Sequence, residues 1–228
     1  MIISGFQKLT ALDYPGKIAC TVFTPGCPFR CGFCHNAALV TEKPEIMDTE
    51  EIFSYLQKRR GILDGVAVTG GEPLMQPDLP DFLRRIKDMG YLVKLDTNGY
   101  YPEALECCLK ENLVDFVAMD IKNSPGKYPL TCAFEHMDIE RIYSSISLVM
   151  DAAPDYEFRT TVVRELHTEE DIPLMGGMIK GAKAWYLQLF VDSGGLISSG
   201  FSAPEKEAME RFVSLAAPFV ENVELRGI

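Results

Sequence analysis

The chain has 228 residues, 47% hydrophobic and 24% charged, which are ordinary globular values and enough apolar material for a substantial core. Its formal net charge of −11 repels phosphate backbones and argues against direct nucleic-acid binding. No apolar run approaches the ~18 residues of a membrane span, and the opening Met1-Ile2-Ile3-Ser4-Gly5 lacks the basic stretch and long apolar core of an export signal. A cytoplasmic protein is expected. In that reducing compartment seven cysteines hold metal or do chemistry rather than form disulfides.

In chain order, apolar β-branched runs alternate with amphipathic stretches. Strands are predicted over 17–24, 65–69, 91–97, 114–122, 156–163 and 185–191, with a short last one over 220–225. The helices between them carry their own signals. Asp48 and Glu51 form a capping box ahead of Ile52, Phe53 and Leu56. Leu79, Phe82, Leu83 and Ile86 make one apolar face closed by Gly90, and Ile139, Ile142, Ile146 and Val149 repeat the pattern. Ser202, Pro204 and Glu205 open the last helix. Lys58-Arg59-Arg60 reads as the solvated end of a helix rather than a binding patch. About six βα units predict an α/β fold with a parallel sheet. A closed eight-unit barrel takes ~250 residues, so an open, partial β/α barrel is expected, with residues 1–228 forming one domain.

The chemistry-bearing residues fall after the strands, where such folds place their sites. Cys27, Cys31 and Cys34 are spaced CxxxCxxC behind the first strand. Three thiolates on one loop can hold three irons of a cubane cluster and leave the fourth iron without a protein ligand. A structural zinc would want four ligands in separated pairs, and the chain has no second CxxC. Thr69-Gly70-Gly71-Glu72-Pro73 follows the next strand, Asp96-Thr97-Asn98-Gly99 ends the third and Asp120-Ile121-Lys122 the fourth. Gly70 and Gly71 let backbone and ligand approach, and Glu72 suits an ammonium group. The oxygens of Asp96, Thr97 and Asp120 suit a hard cation, although the Asp96–Gly99 run also reads as a turn closing a strand. Arg159, inside an apolar strand, needs either a ligand or an acidic neighbour. The remaining cysteines, Cys20, Cys107, Cys108 and Cys132, read as core filler or incidental thiols, with Cys132 in a loop. His136 and His167 read as exposed loop residues.

The cysteine loop followed by Gly70-Gly71-Glu72 resembles the radical S-adenosylmethionine (SAM) superfamily. That resemblance implies a 4Fe-4S cluster on Cys27, Cys31 and Cys34, with SAM chelating the open iron and being cleaved reductively to methionine and a 5′-deoxyadenosyl radical. Asp13-Tyr14-Pro15-Gly16, Cys34-His35-Asn36, the Asp96–Gly99 run, Met119-Asp120-Ile121-Lys122 and Gly5-Phe6-Gln7-Lys8-Leu9 resemble the glycyl-radical enzyme activating enzymes. Among these, the anaerobic ribonucleoside-triphosphate reductase activating proteins are the most similar. The resemblance implies that Phe33 packs on adenine and that Gly70, Gly71 and Glu72 hold the amino group of SAM. It also implies a monovalent cation, Na⁺ or K⁺, on Asp96, Thr97 and Asp120 beside the SAM carboxylate, with Asn98 in the same run and Lys122 reaching SAM. His35, though next to Cys34, is not a ligand in that family. The implied partners are a glycyl-radical enzyme and a flavodoxin or ferredoxin as reductant. Lys17 stands where pyruvate formate-lyase activators carry arginine, and no histidine follows the 186–191 segment. These departures count against pyruvate formate-lyase as partner and leave Gln188 as a polar contact to SAM. Two other readings stay open: a radical SAM enzyme for a small molecule, of the 7-deazaguanine precursor synthase type, and a zinc-binding interaction module.

Overall fold

The computed structural model describes residues 1–192 and 194–227. Eight strands form one sheet whose order is the chain order. β1 (Gly5–Thr10) runs antiparallel to β2 (Ala19–Thr24). Every later neighbour is parallel: β3 (Gly65–Gly70), β4 (Leu92–Thr97), β5 (Phe116–Asp120), β6 (Tyr156–Val162), β7 (Ala184–Leu189) and β8 (Asn222–Arg226). Crossovers advance the sheet one place at a time through α1 (Ala37–Thr41) and α2 (Thr49–Lys58), α3 (Leu79–Asp88), α4 (Pro102–Lys110), α5 (Tyr128–Cys132) and α6 (Ile139–Ala152), α7 (Asp171–Met178) and α8 (Lys206–Ala216). β1 and β8 are the two ends of the sheet, so the architecture is the open β/α barrel that the βα spacing predicts. Among the described residues no helix is long and apolar enough to cross a membrane.

Several local expectations need correcting. β1 carried no strand signal because it is an edge strand with Gln7, Lys8 and Leu9 exposed, so it shows no buried alternation. Asp48 caps α2 by accepting from Glu50 N–H at 2.9 Å, rather than through a box with Glu51. Ser202 stays outside α8, which begins at Lys206 behind Glu205; its hydroxyl and N–H instead donate to Glu165.

Alternation along the strands divides the structure into two interiors. The outer face packs Val22, Val66, Val68, Val93, Leu95, Val117, Met119, Phe158, Trp185 and Leu187 in one core with Ile52, Leu56, Leu83, Ile86, Leu105, Ile142 and Val149 of the helices. The inner face is small or polar: Ala19 and Thr21, Ala67, Lys94 and Asp96, Ala118 and Asp120, Glu157, Arg159 and Thr161, and Gln188. Its lower part is plugged from inside the barrel. The Asp13–Gly16 loop turns back so that Tyr14, 3% exposed, packs with Ala19, Phe116, Ala118 and Leu92, its ring 6.0 Å from that of Phe116. Asp13 accepts a hydrogen bond from Thr21. The absence of a large side chain at Ala19, Gly65 and Ala118 leaves room for this aromatic. Replacing Tyr14 by Ala is therefore expected to lower unfolding free energy by about 3–5 kcal/mol in urea titrations, as for other buried aromatic deletions; a loss under ~1 kcal/mol would show that the plug is dispensable.

Candidate active site

At the C-terminal ends of the strands lies a cavity of about 450 Å³. Its lining takes Cys27, Cys31 and Cys34 from the loop after β2, Gly70 and Gly71 from β3, Asp96, Thr97 and Asn98 from β4, Asp120 and Lys122 from β5, and Arg159, Thr161 and Gln188 from β6 and β7. Residues far apart in sequence thus meet on one rim, together with Phe33, His35 and Asp13.

The cysteine loop has little regular structure and is held by bonds to its surroundings. Gly26 N–H donates to Leu39 at 2.8 Å, Arg30 N–H to the Cys132 carbonyl at 2.8 Å, and Ser198 N–H to the Gly32 carbonyl at 2.9 Å. The Arg30 guanidinium binds the Cys27 and Phe29 carbonyls at 2.6 and 2.9 Å. Phe29, Tyr100 and Phe134 form a cluster of three mutually packed rings, and Phe33 stands edge-on to Phe201. The Asn98 amide lies 3.5 Å from Cys27 Sγ. Burial, with the Glu72 carboxylate nearby, pushes the Cys27 thiol up to about 12, and burial raises Cys34 as well. A hydrogen bond from the Cys132 thiol lowers Cys31, while burial, helped by that bond, raises Cys132. Cys132 sits at the end of α5 rather than in a loop, and is a buried neighbour of the trio rather than an incidental thiol.

Three thiols face one cavity. Three thiolates on one loop suit a cubane cluster, in which each ligates a different iron; among the described residues no group of three His, Cys, Asp or Glu side chains has the arrangement of a single-ion site.

Gly70, Gly71 and Glu72 also hold the chain to itself. Gly70 has φ +125°, and a Cβ at Gly70 or Gly71 would run into the backbone of Thr24 or Gly26. The close approach that demands glycine is therefore between two stretches of this chain, joined by Gly71 N–H to Thr24 at 2.8 Å and Glu72 N–H to Gly26 at 2.7 Å. The Glu72 side chain does not line the cavity. It is fully buried and accepts from Leu74 N–H at 3.1 Å, the Thr97 hydroxyl at 2.8 Å and Asn98 N–H at 2.7 Å. Burial raises its carboxyl to about 7 against those three donors. Glu72 thus ties the β3 turn to the β4 turn through its bonds to Thr97 and Asn98.

The inner face of β4, β5 and β6 carries a chain of charges. Asp96 Oδ1 meets Lys94 and Asp96 Oδ2 meets Arg159 Nη1 at 3.3 Å. Asp120 Oδ1 meets Arg159 Nε at 3.0 Å and Asp120 Oδ2 meets Lys122 Nζ at 2.9 Å. All four carboxylate oxygens therefore face cationic side chains. The Na⁺ or K⁺ implied for Asp96, Thr97 and Asp120 does not fit this donor set. Arg159 takes the acidic-neighbour option twice over while still lining the cavity. Burial alone would raise Asp120, but Lys122 and Arg159 outweigh it and hold the carboxyl at about 2; Arg159 and Lys94 likewise lower Asp96.

Three further supports carried no sequence signal. Lys94, 2% exposed, lies in the middle of an apolar strand. Tyr128 accepts from Lys122 N–H at 3.2 Å. His167, expected to be exposed, is 3% exposed and sits 2.9 Å from the Lys122 carbonyl through Nε2; burial lowers its basicity. Tyr128 and His167 together fix the backbone of Lys122. His136 is exposed, as expected, and His35 lies against Phe190 at 5.7 Å.

An open β/α barrel with three cysteines on the loop after its first parallel strand defines an iron–sulfur enzyme class. The Radical SAM superfamily model matches residues 21–172. A Methanocaldococcus jannaschii protein, provisionally named a glycyl-radical enzyme activating enzyme, is 31% identical over 233 residues, covering 100% of this chain and 96% of that one. A 7-carboxy-7-deazaguanine synthase of Koribacter versatilis is 28% identical over 163 residues, covering 70% of this chain and 68% of its own. A domain of a pyruvate-formate lyase-activating enzyme from Bacteroides vulgatus shares the fold with a TM-score of 0.59 at 20% identity, covering 72% of this chain and 99% of its own. The chain belongs to the radical SAM superfamily, among its glycyl-radical enzyme activating enzymes.

Glu72→Ala orphans three buried donors and is expected to cost about 2–5 kcal/mol of unfolding free energy. Unchanged stability with lost SAM binding would instead make Glu72 a direct ligand. Asp120 is more acidic in the folded chain than the ordinary carboxyl near 3.9. Its stabilising contribution is thus present above about pH 4 and lost as pH falls through about 2. In urea titrations stepped from pH 6 to pH 2, the stability difference between wild type and Asp120→Asn should stay constant above about pH 4 and shrink below it; a constant difference down to pH 2 would contradict the pairing.

Proposed function

We propose that this protein is an activase that cleaves SAM and removes a hydrogen atom from the Cα of one glycine of a partner enzyme, an anaerobic ribonucleoside-triphosphate reductase. The observation that carries this reading is the convergence of three thiols, the Gly70-Gly71 turn and the Lys122–Asp120–Arg159 group on one cavity. The similarity to an activating enzyme along the whole chain supports it. When bound, the reduced cluster supplies one electron to SAM, yielding methionine and the 5′-deoxyadenosyl group that takes up the glycine hydrogen.

The residues of the chain bind and orient. Cys27, Cys31 and Cys34 hold the cluster. Lys122 and Arg159 present positive charge to the carboxylate of SAM, while Asp120 holds both in place. The backbone of Gly70 and Gly71 faces the amino group, with Glu72 bracing the turn from behind. Phe33 packs beside the adenine, with Gln188 and Asn98 as polar contacts on the same cavity. A glycine-bearing loop of the partner reaches the cavity at the open rim as an extended peptide, a binding mode that needs little basic surface. A flavodoxin or ferredoxin supplies the electron, and residues 1–228 act as one domain in the cytoplasm.

The test is anaerobic incubation of reconstituted, reduced protein with SAM and the reductase of the same cell, followed by assays for 5′-deoxyadenosine and reductase activity. Both should appear together, both should vanish in Cys27→Ala, Cys31→Ala and Cys34→Ala, and both should be abolished by air. Deoxyadenosine formed without reductase activation would overturn the partner assignment. Its formation on addition of a 7-deazaguanine precursor alone would favour small-molecule chemistry.

A further inference from the structure

On the inner face of β4, Lys94 stands two residues before Asp96 and is 2% exposed. A lysine in the middle of a buried strand is costly unless its ammonium is paired. Here it meets Asp96 Oδ1, with the Phe116 ring 6.0 Å from Nζ. We propose that Lys94, together with Arg159, is a tethered replacement for a free monovalent cation, so that the SAM pocket of this protein works without Na⁺ or K⁺. The proposal rests on reading the cavity as the SAM site.

The donor atoms argue for it one by one. Asp96 Oδ2 faces Arg159 at 3.3 Å, and the oxygens of Asp120 face Arg159 at 3.0 Å and Lys122 at 2.9 Å. The Thr97 hydroxyl, the other oxygen such an ion would use, donates to Glu72 at 2.8 Å and accepts from Gly99 N–H at 3.0 Å. No oxygen of this set is left facing only solvent or cavity. Charge points the same way. Each carboxylate already meets two cationic groups, Asp96 with Lys94 and Arg159 and Asp120 with Arg159 and Lys122, and a free cation placed beside them would be repelled by those like charges in a partly buried site. Lys94 does not line the cavity. It is a positioning residue, acting through Asp96 on Arg159, and so on the face that SAM meets.

The test uses reconstituted protein with its cluster unreduced, so that SAM binds without turnover. Calorimetric SAM titration and thermal melting are run at equal ionic strength in NaCl, KCl and choline chloride, whose cation is too bulky for the site. Wild type should give the same Kd within about twofold and the same melting temperature in all three salts. Lys94→Ala should bind SAM at least tenfold more weakly in choline chloride. KCl or ammonium chloride should restore most of that loss and raise the variant's melting temperature selectively. Lys94→Met, which fills the space, should be weak in every salt. A wild-type Kd tighter by tenfold or more in KCl than in choline chloride would overturn the proposal, as would a Lys94→Ala protein indistinguishable from wild type in choline. If Lys94→Ala fails to fold, the wild-type salt series still decides. Absence of SAM binding by wild type in every salt would refute the SAM reading of the cavity. The selective stabilisation of Lys94→Ala by K⁺ would then still report on the ammonium.

Discussion

The structure depends on how a barrel interior can hold charge. Asp96, Asp120 and Arg159 lie on the inner faces of three adjacent strands, in register Asp120 opposite Arg159, and none could remain charged there alone. Pairing Arg159 with both carboxylates, and giving each carboxylate a lysine as well, satisfies every oxygen. Removing either carboxylate leaves cations without their partner, a change that costs of the order of 3–5 kcal/mol in fully buried pairs. Asp96, Asp120, Lys122 and Arg159 of this arrangement also line the cavity beside the cysteine loop.

The surrounding architecture serves that arrangement. Parallel strands advancing in chain order bring their C-terminal ends to one rim. The cysteine loop is secured by backbone bonds from α5 and from the segment after β7. The Gly70-Gly71 turn lies against Thr24 and Gly26 and joins the ends of the first two parallel strands, and Glu72 extends that junction to Thr97 and Asn98. Below the charges, Tyr14 closes the barrel. The open rim is then the side on which ligands enter.

Much of this was legible in the sequence, for reasons that differ by residue. The parallel strands announced themselves as short β-branched and apolar runs bounded by turn residues, and the motifs were readable because the topology places each at or just after the end of a strand. Cys27, Cys31 and Cys34 were legible from spacing alone. The exposed edge strand β1 was not, since nothing on it is patterned for burial. Lys94 was passed over because a lysine inside a strand gives no motif, and its meaning depends on Asp96 and Arg159 across the sheet. Cys132 and His167 lie in segments of irregular composition, and their burial comes from contacts with Cys31 and the Lys122 backbone that only the folded chain creates. Glu72 was found, but its carboxylate serves internal donors from β4 that local sequence could not reveal.

The central claim is that a glycine hydrogen on a partner reductase passes to a fragment of SAM held in this cavity. Its most direct measurement is isotopic. Reductase labelled with 2,2-dideuterioglycine is incubated anaerobically with SAM, reductant and this protein, and the 5′-deoxyadenosine formed is weighed by mass spectrometry while the radical is counted by electron paramagnetic resonance. The account predicts one deuterium in deoxyadenosine for each glycyl radical formed. Unlabelled deoxyadenosine, or labelled product without a glycyl radical, would contradict it.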